Sequence, residues 1–137
     1  MRWADQLIKL SNFELELLQT RLAAVVERRT LAELKLAVLT AEGESELALA
    51  RKDPEAAWRL GEFREGLKIR KAAAQRDIDL VATEESGVRD ALAEAFETLK
   101  KYEHVAETSR VAAVRETARR ENAVLDEMGL RRAAGRR

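Results

Sequence analysis

The sequence predicts an all-α protein, a two-helix antiparallel coiled-coil hairpin whose second helix extends past the first. Three observations carry that expectation. Of 137 residues, 36% are charged and only 4% aromatic, and Ala, Leu, Glu, Lys and Arg dominate, which is the make-up of long helices and not of a thick globular core. The one proline lies in "ARKDPEAAW", so the chain has a single strong break. On both sides of that break, apolar residues recur at three-four spacing over many turns.

The break reads as a helix start. Asp53 suits the N-cap, Pro54 the first helical position and Glu55 the positive end of the helix dipole. Gly43 and the "RKD" run place the end of the preceding helix near 50–53. No strong breaker follows until Gly129. One domain is expected: helix 1 over about 3–50, a turn at 51–53, helix 2 over about 54–128 and a basic, disordered tail at 129–137. At 1.5 Å per residue the helices span roughly 70 and 110 Å. Neither persists without packing an apolar face, and the simplest partner for each is the other.

In helix 2, positions 67, 71, 74, 78, 81, 85, 88, 92, 95, 99, 102 and 106 form the seam, broken in charge only by Lys71 and Glu85. Helix 1 has two such stripes. Positions 8, 11, 15, 18, 22, 25, 29, 32, 36 and 39 read I, S, L, L, L, V, R, A, L, L. Positions 10, 13, 17, 20, 24, 27, 31, 34, 38 and 41 read L, F, L, T, A, E, L, L, V, A. They lie on nearly opposite faces, and one partner helix covers only one of them. The other is left for partial exposure, self-association or a second partner.

A turn near residue 52 puts Trp3 opposite Tyr102, so helix 2 is expected to run unpaired beyond His104. There the old seam decays and a new stripe takes over at 111, 114, 118, 121, 125 and 128, read V, V, A, E, L, M. An apolar stripe with no partner in its own chain invites one from another. His104 itself falls on the outer face. At the hairpin tip, Trp58 and Phe63, with Leu67 one turn on, either close the coiled coil or form an anchor patch for a partner.

Chemistry is sparse. There is no cysteine and one histidine, so neither a disulfide frame nor a zinc site is expected. No phosphate-binding glycine loop occurs, and no cofactor is expected. Paired acids such as Glu84 and Glu85 do acid–base work only in a pocket that shifts their pKa, which two helices do not supply, so no enzyme is expected. Glu42, Glu44 and Glu46 alternate around the helix and cannot converge on one ion. Lys and Arg balance Asp and Glu at 25 each. Eight arginines from 110 to 137 could meet phosphates, but Glu116 and Glu121 offset their field, so no nucleic acid is expected. No apolar run approaches the roughly 20 residues of a membrane span, and the N-terminus lacks a signal-peptide pattern. A soluble cytoplasmic protein is expected.

Three local patterns resemble one family. "LKKYEHVAE" is similar to a basic-aromatic-Glu stretch late in helix 2, "RRENAVLDEMGLRR" to a closing segment with Leu/Met-Asp-Glu, and "FREGLK" to a Phe-x-x-x-Leu near the start of helix 2. Together with the short first helix and proline-bearing turn, they resemble FliJ, the soluble coiled-coil component of the flagellar type III export apparatus. The resemblance implies a cytoplasmic stalk, attached to the inner-membrane export apparatus only through partners. Its open end would enter the pore of the hexameric export ATPase (FliI-like) and promote its assembly and activity. The remainder would touch the cytoplasmic domain of the export gate (FlhA-like) and export chaperones. On that basis the pore contacts are Arg110, Val111, Val114, Arg115, Ala118, Arg119, Leu125 and Met128, and the gate contacts Trp58, Phe63 and Leu67. Two other readings stay open: a generic structural coiled coil that self-associates through helix 1, and the equivalent stalk of a virulence-type secretion system.

Overall fold

The computed structural model describes residues 2–135. They form two helices and no strand: α1, Arg2–Ala50, and α2, Pro54–Gly135. The link is three residues long. Asp53 caps α2 by accepting from the Glu55 amide at 3.1 Å, while its own carbonyl accepts from Ala57 at 3.0 Å. The Leu49 carbonyl closes α1 by accepting from both Lys52 and Asp53, each at 3.0 Å. Contacts group the chain into two units, Glu16–Ala93 and Met1–Leu15 with Glu94–Arg137.

In Glu16–Ala93 the helices pack through Leu18, Leu22, Val25, Arg29, Ala32, Leu36 and Leu39 of α1, all buried or half-buried. They face Leu67, Lys71, Ala74, Ile78, Val81, Glu85, Val88 and Leu92 of α2. The first stripe of α1 is therefore the packed one here, and Leu17, Ala24, Leu31, Leu34 and Val38 of the second are exposed. Leu39, Leu67 and Ala74 make one core cluster, with Leu36 and Phe63 against it. The seam's two charged exceptions meet: Arg29 donates from Nη1 to both oxygens of Glu85, at 2.6 and 2.7 Å. Beside them, Arg28 grips Glu84 with two hydrogen bonds, at 3.1 and 2.6 Å.

The register differs from the expected one. Facing residue numbers add to 112 at Arg28–Glu84 and Glu42–Arg70, and to 114 at Arg29–Glu85, instead of to about 105. Side chains lean toward the N-terminus of their own helix. In an antiparallel pair that lean carries α1 side chains away from the turn and α2 side chains toward it, so each α1 residue meets one farther along α2. Gly43 does not end α1. It lies inside the helix, where a Cβ would stand 2.6 Å from Leu67 Cδ2.

In the second unit, Ala4, Ser11 and Leu15 of α1 and Ala95 and Leu99 of α2 are buried, with Ile8, Tyr102 and Ala106 half-buried. Asp5 and Ile8 line a recess of about 510 Å³ with Glu103, Ala106, Glu107, Ser109, Arg110, Ala113 and Val114. The start of α1 thus runs alongside 103–114, and Trp3 does not mark an end at Tyr102. From 117 to 135 every residue is exposed, yet the helix continues through Gly129 to Gly135. The expected basic tail is helical as far as the described residues reach. An interior glycine costs a helix only about 1 kcal/mol relative to alanine, and elongating an existing helix needs no new nucleus.

Three outcomes follow for stability, each read by urea unfolding. Glu85→Leu takes the closer partner from the half-buried Arg29 guanidinium, leaving only Glu33 at 3.7 Å, and costs about 1–3 kcal/mol, which adding Arg29→Leu largely restores. Gly66→Ala and Gly87→Ala, with open space at their Cβ, each raise stability by about 0.5–1 kcal/mol, whereas Gly43→Ala gains nothing because Leu67 must move. The Arg28 guanidinium holds the Glu84 carboxyl below its ordinary 4.5. That pair therefore stabilises the fold above pH 4.5 and is lost as pH falls through the lowered value. The unfolding midpoint should stay flat from about pH 8 to 6 and drop below about 4.5, less steeply in Glu84→Gln.

Candidate partner-binding surfaces

Apolar side chains that the helix–helix seam leaves uncovered are the groups able to bind a partner. Ile69, Leu80, Phe96 and Val105 of α2 are exposed among them, and three further places bear on the residues singled out in the sequence. At the turn end of Glu16–Ala93, Trp58 is 90% exposed on the first turns of α2. Phe63, by contrast, packs its ring on the Leu39–Leu67 cluster and carries the Arg70 guanidinium 6.0 Å above its centroid. Leu67 is buried in that cluster. Of the three tip residues singled out in the sequence, Trp58 is thus the one fully presented, Phe63 shows an edge, and Leu67 supports them from inside.

The second place is the outer face of α1. Within Glu16–Ala93 it carries Leu17, Leu31, Leu34 and Val38, of which Leu31 and Leu34 are 58% and 57% exposed. Small residues, Ala23, Ala24, Thr30, Ala37 and Ala41, lie among them and are exposed too. Leu10 and Phe13 are exposed in the other unit.

The third is the C-terminal stretch of α2. Val111 is half-buried; Val114, Ala118, Leu125 and Met128 are exposed and share one stripe, with Val124 and Leu130 exposed nearby. The arginines around it are not idle. Arg110 holds Glu107 through two hydrogen bonds, at 2.6 and 3.0 Å, and Arg119 holds Glu116 likewise, at 2.8 and 3.1 Å. Arg120 also donates to Glu116 at 3.2 Å, and Arg131 to Glu127 at 2.9 Å. These contacts hold the Glu107 and Glu116 carboxyls below their ordinary range. All are pairs three or four residues apart on one helix, each worth a few tenths of a kcal/mol. Among the described residues Arg115 makes no ion pair. The sequence did not reveal this pairing as a system, although the spacing of Glu107–Arg110, Glu116–Arg119 and Glu127–Arg131 was its signal.

His104 is exposed. Among the described residues no group of three or more His, Cys, Asp or Glu side chains could hold a metal ion. Among the same residues no helix is long and apolar enough to cross a membrane.

Comparison with known proteins agrees with the local patterns in the sequence. The chain is 48% identical over 133 residues to a protein named "Flagellar FliJ protein" from Caulobacter vibrioides strain NA1000 / CB15N. The match covers 97% of this chain and 96% of that protein. The protein of the same name from strain ATCC 19089 / CIP 103742 / CB 15 is similar to the same extent. No family model and no solved structure matches the chain.

Since Leu125 and Met128 of this stripe are exposed, charging them should leave folding intact. Leu125→Asp with Met128→Asp is expected to change the free energy of unfolding by less than about 0.5 kcal/mol, measured by urea titration.

Proposed function

The chain belongs to the flagellar FliJ family, and from that premise we propose that it is a non-enzymatic soluble component of the flagellar type III export apparatus, acting as a central stalk. The observation that carries this reading is the C-terminal stretch of α2. It is a helix with one apolar stripe, in which Val114 sits at the rim of the recess beside Asp5 and Ile8 while Ala118, Leu125 and Met128 are exposed. Around that stripe stand Arg110, Arg115 and Arg119. A pore through a ring of subunits presents a similar wall on every side. A single helix that enters it needs apolar contact along its length and charges that can re-pair with whichever subunit is near.

The arginine pairs suit that task. Each Arg–Glu pair on the exposed helix is weak, so exchanging Glu107 or Glu116 for a carboxylate of the ring costs little. Guanidinium arms keep their charge at any physiological pH and make two-point contacts with carboxylates. In this reading the helix end enters the export ATPase hexamer, promotes its assembly and activity, and leaves the tip for the cytoplasmic domain of the export gate and for export chaperones. Trp58, with the edge of Phe63 over buried Leu67, is the tip contact. The protein then works in the cytoplasm and meets the membrane only through these partners.

The test is a titration of the purified chain into the export ATPase of its own organism, following hydrolysis and hexamer formation together. The native chain is expected to raise both. Val114→Asp with Leu125→Asp should fold normally and lose at least about 10-fold of the stimulation, the effect of about 1.4 kcal/mol at the contact. Full stimulation by that variant rules out the pore contact. No stimulation by the native chain rules out the stalk.

A further inference from the structure

We infer that the outer face of α1 within Glu16–Ala93 is a self-association surface on which a second copy of this chain docks α1 antiparallel to α1. This goes beyond the stalk reading and uses none of its proposed contacts. The face is built as a heptad seam: Leu17, Ala24, Leu31 and Val38 fill one row, Thr20, Glu27, Leu34, Ala41 and Ala48 the adjacent one. All nine are exposed. An exposed seam of this length on one helix calls for a helical partner.

The occupant follows from self-complementarity. Antiparallel helices pair one row with the other. Setting Leu31 against Leu34 of the second copy places two such pairs about the two-fold axis, a four-leucine centre. Ala24 then meets Ala41 of the second copy, Leu17 meets Ala48, and Val38 meets the aliphatic part of Glu27. The residues beside the centre, Thr30 and Ala37, are small and let the backbones approach. The flanking charges agree with this register. Arg21 falls opposite Glu42 of the second copy and Glu16 opposite Arg51, and symmetry doubles both attractions. The like-charge pairing of Arg28 with Lys35 is doubled by the same symmetry, and is blunted because Glu84 already holds the Arg28 guanidinium through two hydrogen bonds. A parallel arrangement sets the seam residue Glu27 against its own copy, like charge on like charge. Shifting the antiparallel register by a heptad toward the N-terminus centres the contact on Glu27, and shifting it the other way loses both leucine pairs from the centre.

The absence of cysteine from the chain makes the register directly testable. Ala24→Cys and Ala41→Cys sit at exposed positions that the fold does not use. Mixed under mild oxidation, the two variants should form the mixed disulfide dimer. Each alone should stay uncoupled, because the register holds identical positions about 25 Å apart. Sedimentation of the native chain should pass from one chain toward two between about 1 and 100 μM, the range of a modest interface. Leu31→Glu with Leu34→Glu should hold it at one chain with an unchanged unfolding midpoint. A single-chain mass throughout that range overturns the inference. So do self-coupling of either cysteine variant and retention of the dimer by the double glutamate variant.

Discussion

The half-buried ion pair between Arg29 and Glu85 sets the alignment on which the packing of Glu16–Ala93 depends. Leucine, valine and alanine layers of a coiled coil are nearly interchangeable, so an apolar seam alone tolerates a slip of one heptad. A slip here puts Arg29 against Ile78 or Leu92 and Glu85 against Leu22 or Leu36. Each breaks the close inter-helix pair and leaves two charges partly out of water with only their longer own-helix contacts, Glu33 for Arg29 and Arg89 for Glu85, which outweighs any gain from a reshuffled leucine layer. The pair is not ideally satisfied even in register. Arg29 Nε is buried with no hydrogen-bond partner, and the Glu33 carboxylate stops 3.7 Å away. That is the mark of a layer kept for alignment more than for stability.

Once this layer is in place, the neighbouring contacts follow. Arg28 and Glu84 meet one residue away, on the edge of the same seam. Farther toward the turn, Glu42 and Arg70 come within 3.9 Å, and Leu67 arrives over Gly43, the one glycine where a side chain would collide. Leu67 in turn seats Leu39, Ala74 and Phe63. The tip tryptophan is displayed because Phe63 and Ala56, on the neighbouring face of the same turns, take the places against α1. Core and candidate surface are thus two sides of one register.

The C-terminal stretch of α2 obeys a different constraint. From residue 117 it buries nothing, so its helix rests on elongation from a packed segment, on strong helix formers such as Ala133 and Ala134, and on Arg–Glu pairs a turn apart. Reading Gly129 as a stop gave a break too much weight against those terms. Because local pairs hold it, the stretch is helical without spending its apolar stripe, and Val114, Leu125 and Met128 stay exposed.

The helical class, the single turn, the cap at Asp53 and the α2 seam were all legible in the sequence, because each depends on residues within a turn or two of one another. The FliJ family was legible for the same reason, through short patterns such as "LKKYEHVAE" that local inspection can read. Three matters were not local. Two stripes of α1 are equally apolar, and only the match of Arg29 to Glu85, 56 residues away, selects between them; the stripe bearing Glu27 would have set acid near acid. The offset of α2 past α1 came from side-chain lean across the pair, which counting residues from the turn omits. The burial of Leu67, as against the display of Trp58, depended on which face that offset turned toward α1. Sequence periodicity by itself determined that two helices would pack and where they begin. Tertiary structure decided which faces met and in what register, because those choices rest on long-range charge and shape complementarity between helices that no local pattern contains.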